Sequence, residues 1–341
     1  MPRASSQTTG HDELAMTKKE KKGGARLRVG VVGVGYLGKF HAEKYSRHPE
    51  VDLIGIVDSN HLQADRIAEQ WNIPAYYDHR ELIGKVDAVS IAVPTESHYS
   101  ISRDFINNHV DVLIEKPITT TIEQADDLIS LAEKKGSLIQ VGQLERFNPA
   151  VVALQGTVHK PLFIESHRLS MFKARSLDVS VVLDLMIHDI DLILNFVGSG
   201  IKSIHAAGIP VITDTVDIAN ARLEFDSGCI ANVTASRISM KNERKIRLFQ
   251  NDAYISVNFA DRNITIIRQN GIKSEGIIPG MTVDQRSFSN ADALNDEIRS
   301  FIKAVAARKI PEVTGRMGRD ALEIALSVMD QIQQTSERLA R

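Results

Sequence analysis

The chain has 341 residues, which is enough for about two domains of ordinary size. A hydrophobic content of 43%, a charged content of 25% and a net charge of −2 are typical of a globular protein, and they exclude a strongly basic surface for nucleic acid or membranes. No apolar run approaches the ~18 residues of a membrane span, and the single cysteine, Cys229, excludes a disulfide framework, so we expect a cytoplasmic protein.

The first half of the chain has the pattern of an α/β fold. We expect residues 1–25 to form a disordered leader, because small and basic residues there precede the first apolar run. The predicted strands that follow are 27–34, 51–57, 86–93, 110–114 and 138–141, and the predicted helices are 36–47, 61–70, 97–107 and 122–135. Strands that alternate with helices predict βαβ units, and therefore a doubly wound parallel sheet of the Rossmann type over residues 26–143.

The second half has several strands in succession and one long apolar helix. The predicted helices are 149–157, 181–197, 290–307 and 318–339, and the predicted strands are 162–168, 203–209, 215–225, 229–236, 244–250, 253–258 and 263–268. Consecutive strands favour an α+β domain over residues 144–310, with an open, largely antiparallel sheet that is covered on one face. The other face needs a partner, which favours a homodimer or homotetramer.

A dinucleotide site is predicted where the first strand meets the first helix. The G-x-G-x-x-G motif there is Gly33-Val34-Gly35-Tyr36-Leu37-Gly38. Its glycines permit a tight turn, close approach of a pyrophosphate and close helix packing, and the helix N-terminus favours phosphate. Asp58 ends the second strand, where a carboxylate accepts hydrogen bonds from ribose hydroxyls and repels a 2′-phosphate. We therefore predict NAD rather than NADP as the cofactor.

Three further residues follow the third predicted strand of the first half. Pro94, Thr95 and His98 are predicted to touch the cofactor, because ligands of open α/β sheets bind outside the carboxyl ends of the strands. A turn followed by a helix N-cap at Thr95 or Ser97 explains each of these residues equally well.

A charged pair ends the fourth predicted strand, in the run Glu115-Lys116-Pro117. Lysine is rarely buried without a partner or a purpose. At this strand end Lys116 would reach the cofactor crevice, where an ammonium group can hydrogen-bond a substrate hydroxyl and stabilise a developing oxyanion. The alternative is an exposed loop lysine that pairs with Glu115.

The apolar helix carries a second group of polar residues. Asp184, His188, Asp191 and Asn195 follow a spacing of i, i+4, i+7 and i+11, which predicts one narrow face. A histidine with an aspartate one turn earlier suits a general base and its orienting partner. A buried core histidine explains the pair equally well, and the aspartate and histidine have no convincing set of further zinc ligands, so we predict no metal.

Together these motifs resemble the glucose–fructose oxidoreductase / inositol dehydrogenase family. The resemblance is carried by the glycine motif with His41, by Asp58, by the Pro94–His98 loop, by Glu115-Lys116-Pro117, and by Asp184, His188 and Asp191. It implies that Lys116, Asp184 and His188 form the catalytic group. It also implies that Glu115 and Lys116 contact the cofactor, as do the residues of the glycine motif, Asp58 and the residues of the Pro94–His98 loop. It further implies dimers or tetramers, and a last segment, 311–341, that packs back on the Rossmann domain.

A narrower resemblance rests on the segments at 143–149, 167–169 and 181–188. They are similar to the same segments in the bacterial branch of the family that oxidises the 3-hydroxyl of UDP-N-acetylglucosamine. In that branch an aminotransferase acts on the 3-keto sugar in the biosynthesis of lipid A. This resemblance implies that Arg146, Asn148 and Arg168 lie near the sugar nucleotide, together with Asp184 and His188, although Asn148 fits a helix N-cap at least as well. Other sugar or cyclitol dehydrogenases, an NAD-dependent glycoside hydrolase and a non-catalytic NAD sensor stay open as alternatives.

Overall fold

Two β-sheets organise the chain in a computed structural model, which describes residues 26–173, 179–269, 280–289 and 291–339. The predicted leader, residues 1–25, lies outside the described residues. Both predicted sheet types are confirmed, since the first sheet is parallel and the second is mostly antiparallel. None of the helices in the described part combines the length and the apolar composition that a bilayer crossing requires.

The first sheet is built from parallel strands linked by helices. Its strands are β1 (Leu27–Val32), β2 (Val51–Val57), β3 (Ala75–Tyr76), β4 (Ala88–Ile91), β5 (Asp111–Glu115) and β6 (Ile139–Gly142). Its helices are α1 (Gly38–Ser46), α2 (His61–Trp71), α3 (Thr95–Asn107) and α4 (Ile122–Lys135). The strand order, β3-β2-β1-β4-β5-β6, is that of a doubly wound nucleotide-binding fold. The short edge strand β3 is absent from the sequence analysis, because two residues show no periodicity.

Alternate residues of these strands face two apolar cores, one on each side of the sheet. Val31 of β1 packs in the core that contains residues of α1 and α2, whereas Val32 packs in the core that contains residues of α3 and α4. Burial on both faces explains why the strands form continuous apolar runs in the sequence rather than an alternation.

The second sheet has eight strands, and one of its faces is covered by helices. Its strands are β7 (Phe163–Leu169), β8 (Ile201–Ile209), β9 (Ile218–Phe225), β10 (Ile230–Ser236), β11 (Glu243–Gln250), β12 (Ala253–Asn258), β13 (Asn263–Gln269) and β14 (Met281–Ser287). They lie in the order β14-β13-β12-β11-β7-β10-β9-β8, and β7 pairs with β10 in parallel. The edge strand β14 is also absent from the sequence analysis, because its residues are mostly exposed and show no apolar alternation.

Four helices complete the described chain: α5 (Pro149–Val152), α6 (Ile187–Val197), α7 (Ala293–Ala307) and α8 (Gly315–Leu339). Helices α5, α6 and α8 contribute to the apolar core against the second sheet. Helix α8 also contacts α4 and β6 of the first sheet, so it joins the two layers. Helix α7 lies in the segment assigned to the second domain, yet its residues Ile298 and Phe301 pack in the core of the Rossmann sheet beside α1. The domain boundaries themselves stay a prediction.

The long apolar helix spans the predicted residues 181–197, but it is not a regular α-helix throughout. Residues Val182–Met186 form a π turn, and a regular α-helix begins only at Ile187. A π turn closes hydrogen bonds one residue wider than an α-turn and often occurs at functional sites. The wide turn changes the phase between Asp184 and the residues that follow it, so a single 3.6-residue period does not describe the segment.

Candidate active site

The glycine turn between β1 and α1 has the geometry that a dinucleotide requires. Gly33 has φ of +82°, which favours glycine, and a Cβ atom on Gly38 would lie 1.8 Å from the Gly33 carbonyl oxygen. A Cβ atom on Gly35 would meet only the side chain of Gln63, at 3.8 Å. The first and third glycines therefore serve the turn and its packing, whereas the second faces open space where a phosphate can approach the backbone. Tyr36 and Leu37 are exposed beside it.

Asp58 is held rigidly at the end of β2. Its carboxylate accepts hydrogen bonds from the backbone N–H groups of Val34 and Asn60, both at 2.9 Å. Asp58 lines a crevice of about 460 Å³ that also contains Gly33, Gly35 and Pro94. The fold thus brings the predicted ribose carboxylate and the glycine turn into one cavity, and Thr95 begins the helix beside it.

The sequence analysis missed one wall of this crevice. The segment Tyr77, Asp78, His79 and Arg80 lines it opposite the glycines, and Asp78 and Arg80 form an ion pair there. The segment belongs to a connection after the short strand β3, whose polar residues form no motif. Its position beyond Asp58 suits the adenosine end of a dinucleotide.

His98 does not face the crevice, which corrects its predicted contact with the cofactor. Its side chain is buried, Nδ1 lies 2.8 Å from the carbonyl oxygen of Pro117, and Nε2 lies 2.9 Å from that of Val93. Burial lowers the pKa of His98. With both ring nitrogens at carbonyl oxygens, His98 joins the loops after β4 and β5 and positions them. The alternative N-cap at Thr95 or Ser97 is also wrong, because Pro94 occupies the N-cap position.

Lys116 is largely buried, with 14% of its side chain exposed, and it points across to the second half of the chain. Its Nζ donates a hydrogen bond to the carbonyl oxygen of Asp184 at 2.6 Å and lies 3.5 Å from the Asp184 carboxylate. Burial lowers the pKa of Lys116, and the charges of Asp184 and Glu115 oppose this only in part. An exposed loop lysine is therefore excluded. Glu115 points the other way, where its Oε1 lies 3.0 Å from Nε2 of His41, so direct contact of Glu115 with the cofactor is not supported.

His188 lies in the first turn of α6, next to the π turn that carries Asp184. Its Nδ1 is buried and has no hydrogen-bond partner among the described residues. Burial, followed by the charges of Lys116, Arg168 and Arg244, lowers the pKa of His188 well below its ordinary value. The imidazole is therefore neutral at physiological pH and able to accept a proton.

Asp184 is not the orienting partner of His188 that the spacing predicted. In the described part of the chain, no hydrogen bond or ion pair joins the two side chains, and the Asp184 carboxylate lies instead toward Lys116. The later residues of the predicted face stay together, because His188, Asp191 and Asn195 lie in the regular helix α6. Asp191 is buried against Arg146, and Asn195 is exposed beside a cavity of about 210 Å³ that Arg146 also lines. Asp184 precedes this regular helix, in the π turn.

The two arginines predicted near the substrate form internal ion pairs. Arg146 binds Asp191 at 2.6 and 3.2 Å. Arg168 binds Asp189 at 2.7 and 3.1 Å and Glu145 at 2.9 Å. Their guanidinium groups are committed to buried carboxylates, so a direct role in substrate binding is not supported for either.

Asn148 has the structural role that the sequence analysis left open. Its side chain accepts a hydrogen bond from the N–H of Ala150 at 3.1 Å and so caps α5. Its amide also donates to Glu145 at 3.2 Å. Asn148 is buried and braces the segment that positions Arg146.

A second cavity, of about 250 Å³, opens beside Asp184 on the side of the second sheet. Lys173, Arg237, Asn242 and Arg244 line it, and Arg244 is close enough to His188 to lower its pKa. The sequence analysis missed these residues, because they come from strands and loops far apart in the chain. Lys116 lies close enough to His188 to lower its pKa, and Asp184, which Lys116 contacts, lines the basic cavity. Neither Lys116 nor His188 is among the described residues that line the dinucleotide crevice.

Comparison with known proteins agrees with this architecture. Residues 27–143 match the oxidoreductase family with an NAD-binding Rossmann fold, and residues 150–256 match the GFO/IDH/MocA C-terminal domain. The chain is 37% identical to a UDP-N-acetylglucosamine 3-dehydrogenase of Acidithiobacillus ferrooxidans, over 89% of this chain and 96% of that protein. A solved structure of that enzyme from the same organism superposes with a TM-score of 0.86 at 36% identity and covers 91% of this chain and 98% of that one. A scyllo-inositol 2-dehydrogenase (NAD(+)) of Bacillus subtilis is 26% identical, over 89% of this chain and 93% of that protein.

Proposed function

The chain belongs to the GFO/IDH/MocA family of NAD-binding oxidoreductases, and on that premise we propose that it oxidises the 3-hydroxyl of UDP-N-acetylglucosamine. The product would be the 3-keto sugar nucleotide. The observation that carries the proposal is the contact of Lys116 with the Asp184 carbonyl oxygen, because it brings the cofactor domain to the segment that bears His188.

The residues at this contact suit the oxidation of an alcohol. NAD, when bound in the crevice of the glycine turn, supplies the acceptor for the hydride. The imidazole of His188 accepts the hydroxyl proton, and its lowered pKa keeps it in the neutral form that can do so. The ammonium group of Lys116 donates a hydrogen bond to the same oxygen and stabilises the negative charge that develops there.

The basic cavity supports a sugar nucleotide over an uncharged cyclitol. Lys173 and Arg244 line it with exposed side chains, and the diphosphate of a nucleotide sugar needs cationic groups of this kind, whereas Arg237 is buried and paired with Asp217. An inositol has no charge for these residues to bind. The likeness to a UDP-N-acetylglucosamine 3-dehydrogenase over nearly the whole chain supports the same choice.

Turnover with defined substrates tests the proposal. Purified protein with NAD and UDP-N-acetylglucosamine should produce NADH absorbance, and mass spectrometry should detect the 3-keto sugar nucleotide. A sugar-nucleotide aminotransferase with glutamate should increase the yield by removing the product. NADH from myo- or scyllo-inositol but not from the sugar nucleotide would contradict the substrate, and cleavage of a chromogenic N-acetylhexosaminide without net NADH would favour the hydrolase.

Two partners complete the proposal. An aminotransferase would consume the 3-keto product, because a ketone at a defined carbon is the substrate that transamination requires.

A second copy of the chain would cover the open face of the second sheet, where Phe163, Phe249 and Tyr254 form an aromatic row with ring centroids 5.7 and 5.1 Å apart. Light scattering of the purified protein measures the oligomer directly, and a monomer at micromolar concentration would contradict it.

A further inference from the structure

A buried polar cluster lies behind Lys116, and the proposed reaction does not use it. Glu297 of α7 is fully buried, and neither of its carboxylate oxygens has a hydrogen-bond partner in the described structure. One ring nitrogen of His41 and one carboxylate oxygen from each of Glu115 and Glu297 all lie within 4.8 Å of one another. Two carboxyl groups and an imidazole therefore meet in an apolar setting between α1, β5 and α7.

Two negative charges are not stable this close together in a low-dielectric interior, and such pairs hold one proton between them. The two carboxyl groups are not equivalent. Burial, followed by the charge of Glu115, raises the pKa of Glu297 well above its ordinary value. Burial also raises the pKa of Glu115, but the hydrogen bond with His41 and the charges of His41, Lys116 and His98 outweigh it, so the net pKa is lowered.

Among the neighbours of Glu297, Glu115 is the acceptor that carries a negative charge, whereas Nδ1 of His41 and Oε1 of Gln140 are uncharged acceptors that also have no partner in the described structure. On α1, the Tyr45 hydroxyl is already paired with Ser90 at 2.8 Å. On β6, the Gln140 amide donates to the backbone carbonyl of Glu297 at 3.1 Å, and not to its carboxyl group. On α3, His98 is engaged with two backbone carbonyl oxygens.

We propose that Glu297 is a positioning residue that stays protonated and donates this proton to Glu115, so that one negative charge is held on Glu115 directly behind Lys116. The proposal rests on the role of Lys116 in the proposed function. The Glu115 charge opposes the loss of the Lys116 proton in the buried site. Without a donor at position 297, only His41 holds the ionised Glu115 carboxylate, which can then turn away from Lys116 and oppose the loss of the Lys116 proton less.

Two variants of similar length separate this role from simple packing. Glu297→Gln keeps a hydrogen-bond donor that can never ionise, whereas Glu297→Met removes the donor and keeps an unbranched side chain. We expect the descending, alkaline limb of the pH profile of kcat/KM to stay in place in Glu297→Gln and to move down by about one pH unit in Glu297→Met. Melting temperatures report the packing cost separately. A limb that moves equally in both variants, or in neither, would overturn the proposal.

An infrared measurement tests the shared proton without any turnover, so its failure is distinct from a failure of the proposed function. At neutral pH, the difference spectrum between the parent and Glu297→Gln should contain the carbonyl stretch of a protonated carboxylic acid, shifted in D₂O. The lack of this band would overturn the proposal even if the enzyme oxidises the sugar nucleotide. A stoichiometric divalent metal that is lost from Glu297→Gln would also overturn it, because the cluster would then bind a cation in place of the proton.

Discussion

Replacement of Arg168 by methionine should destabilise the fold rather than weaken substrate binding. The Arg168 side chain is 4% exposed, and it binds Asp189 and Glu145, whose side chains are 1% and 12% exposed. Arg168→Met keeps an unbranched chain of similar reach but leaves both carboxylates buried without their cation. Removal of one partner from a buried ion pair typically costs about 3–5 kcal/mol.

The same sheet provides a matched control for this experiment. Arg247 of β11 pairs with Glu165 of β7 at 3.0 Å, but their side chains are 35% and 33% exposed. A partly exposed pair of this kind contributes about 0–1 kcal/mol. Urea unfolding of Arg168→Met and Arg247→Met should therefore differ by at least about 2 kcal/mol in the free energy of unfolding.

A double variant keeps the prediction testable if Arg168→Met folds poorly. Asp189→Asn in the same chain removes one of the two orphaned charges, so Arg168→Met with Asp189→Asn should be more stable than Arg168→Met alone. The reasoning would be refuted if Arg168→Met unfolds like Arg247→Met and instead raises the KM for the sugar nucleotide. That result would restore Arg168 to the substrate site that the sequence analysis predicted.

Three further predictions concern the cofactor and the base. Gly35→Ala should keep the melting temperature and weaken NAD binding at least about tenfold. Gly38→Ala should lower the melting temperature, because its Cβ would lie 1.8 Å from a backbone oxygen. Calorimetry measures the melting temperature of both variants, and equal values would contradict the different roles of the two glycines. Asp58→Ala should raise the dissociation constant of NAD by about 10- to 100-fold, as expected for the loss of charge-assisted hydrogen bonds, and Ser59→Ala is the neighbouring control in the same titration. His188→Gln should lower kcat by about 10²- to 10⁴-fold with little change in NAD affinity. In the parent, the acidic limb of the pH profile of kcat/KM should lie below the ordinary histidine pKa of 6.5, because a lowered pKa keeps the base neutral until the pH falls further. A limb above 6.5 would argue against His188 as the base.

Features that depend on local order in the chain could be predicted from the sequence. The strands of the first sheet are apolar runs bounded by turns, and the glycine turn and Asp58 follow strand ends and line one crevice. Lys116 also follows a strand end of the same sheet. The family and its NAD-binding domain follow from the same motifs and are confirmed.

Features that depend on partners distant in sequence could not be predicted. The ion pair of Arg146 with Asp191 joins a turn after β6 to α6, and no periodicity within α6 reveals it. The basic cavity combines Lys173 with Arg237 and Arg244, which come more than sixty residues later in the chain. The buried Glu297 lies in an amphipathic helix, where a glutamate is ordinarily a solvent-exposed residue.

The π turn at Val182–Met186 also has a consequence for how this enzyme tolerates insertions and deletions. Five residues of a π turn rotate the chain by about the same angle as four residues of a regular α-helix. Deletion of one residue from the turn would therefore restore a regular helix and leave Asp189 and Asp191 facing Arg168 and Arg146. Deletion of one residue at the start of α6 would instead rotate both aspartates by about 100° away from these arginines. A one-residue deletion should therefore be tolerated far better in the π turn than in the regular helix that follows it.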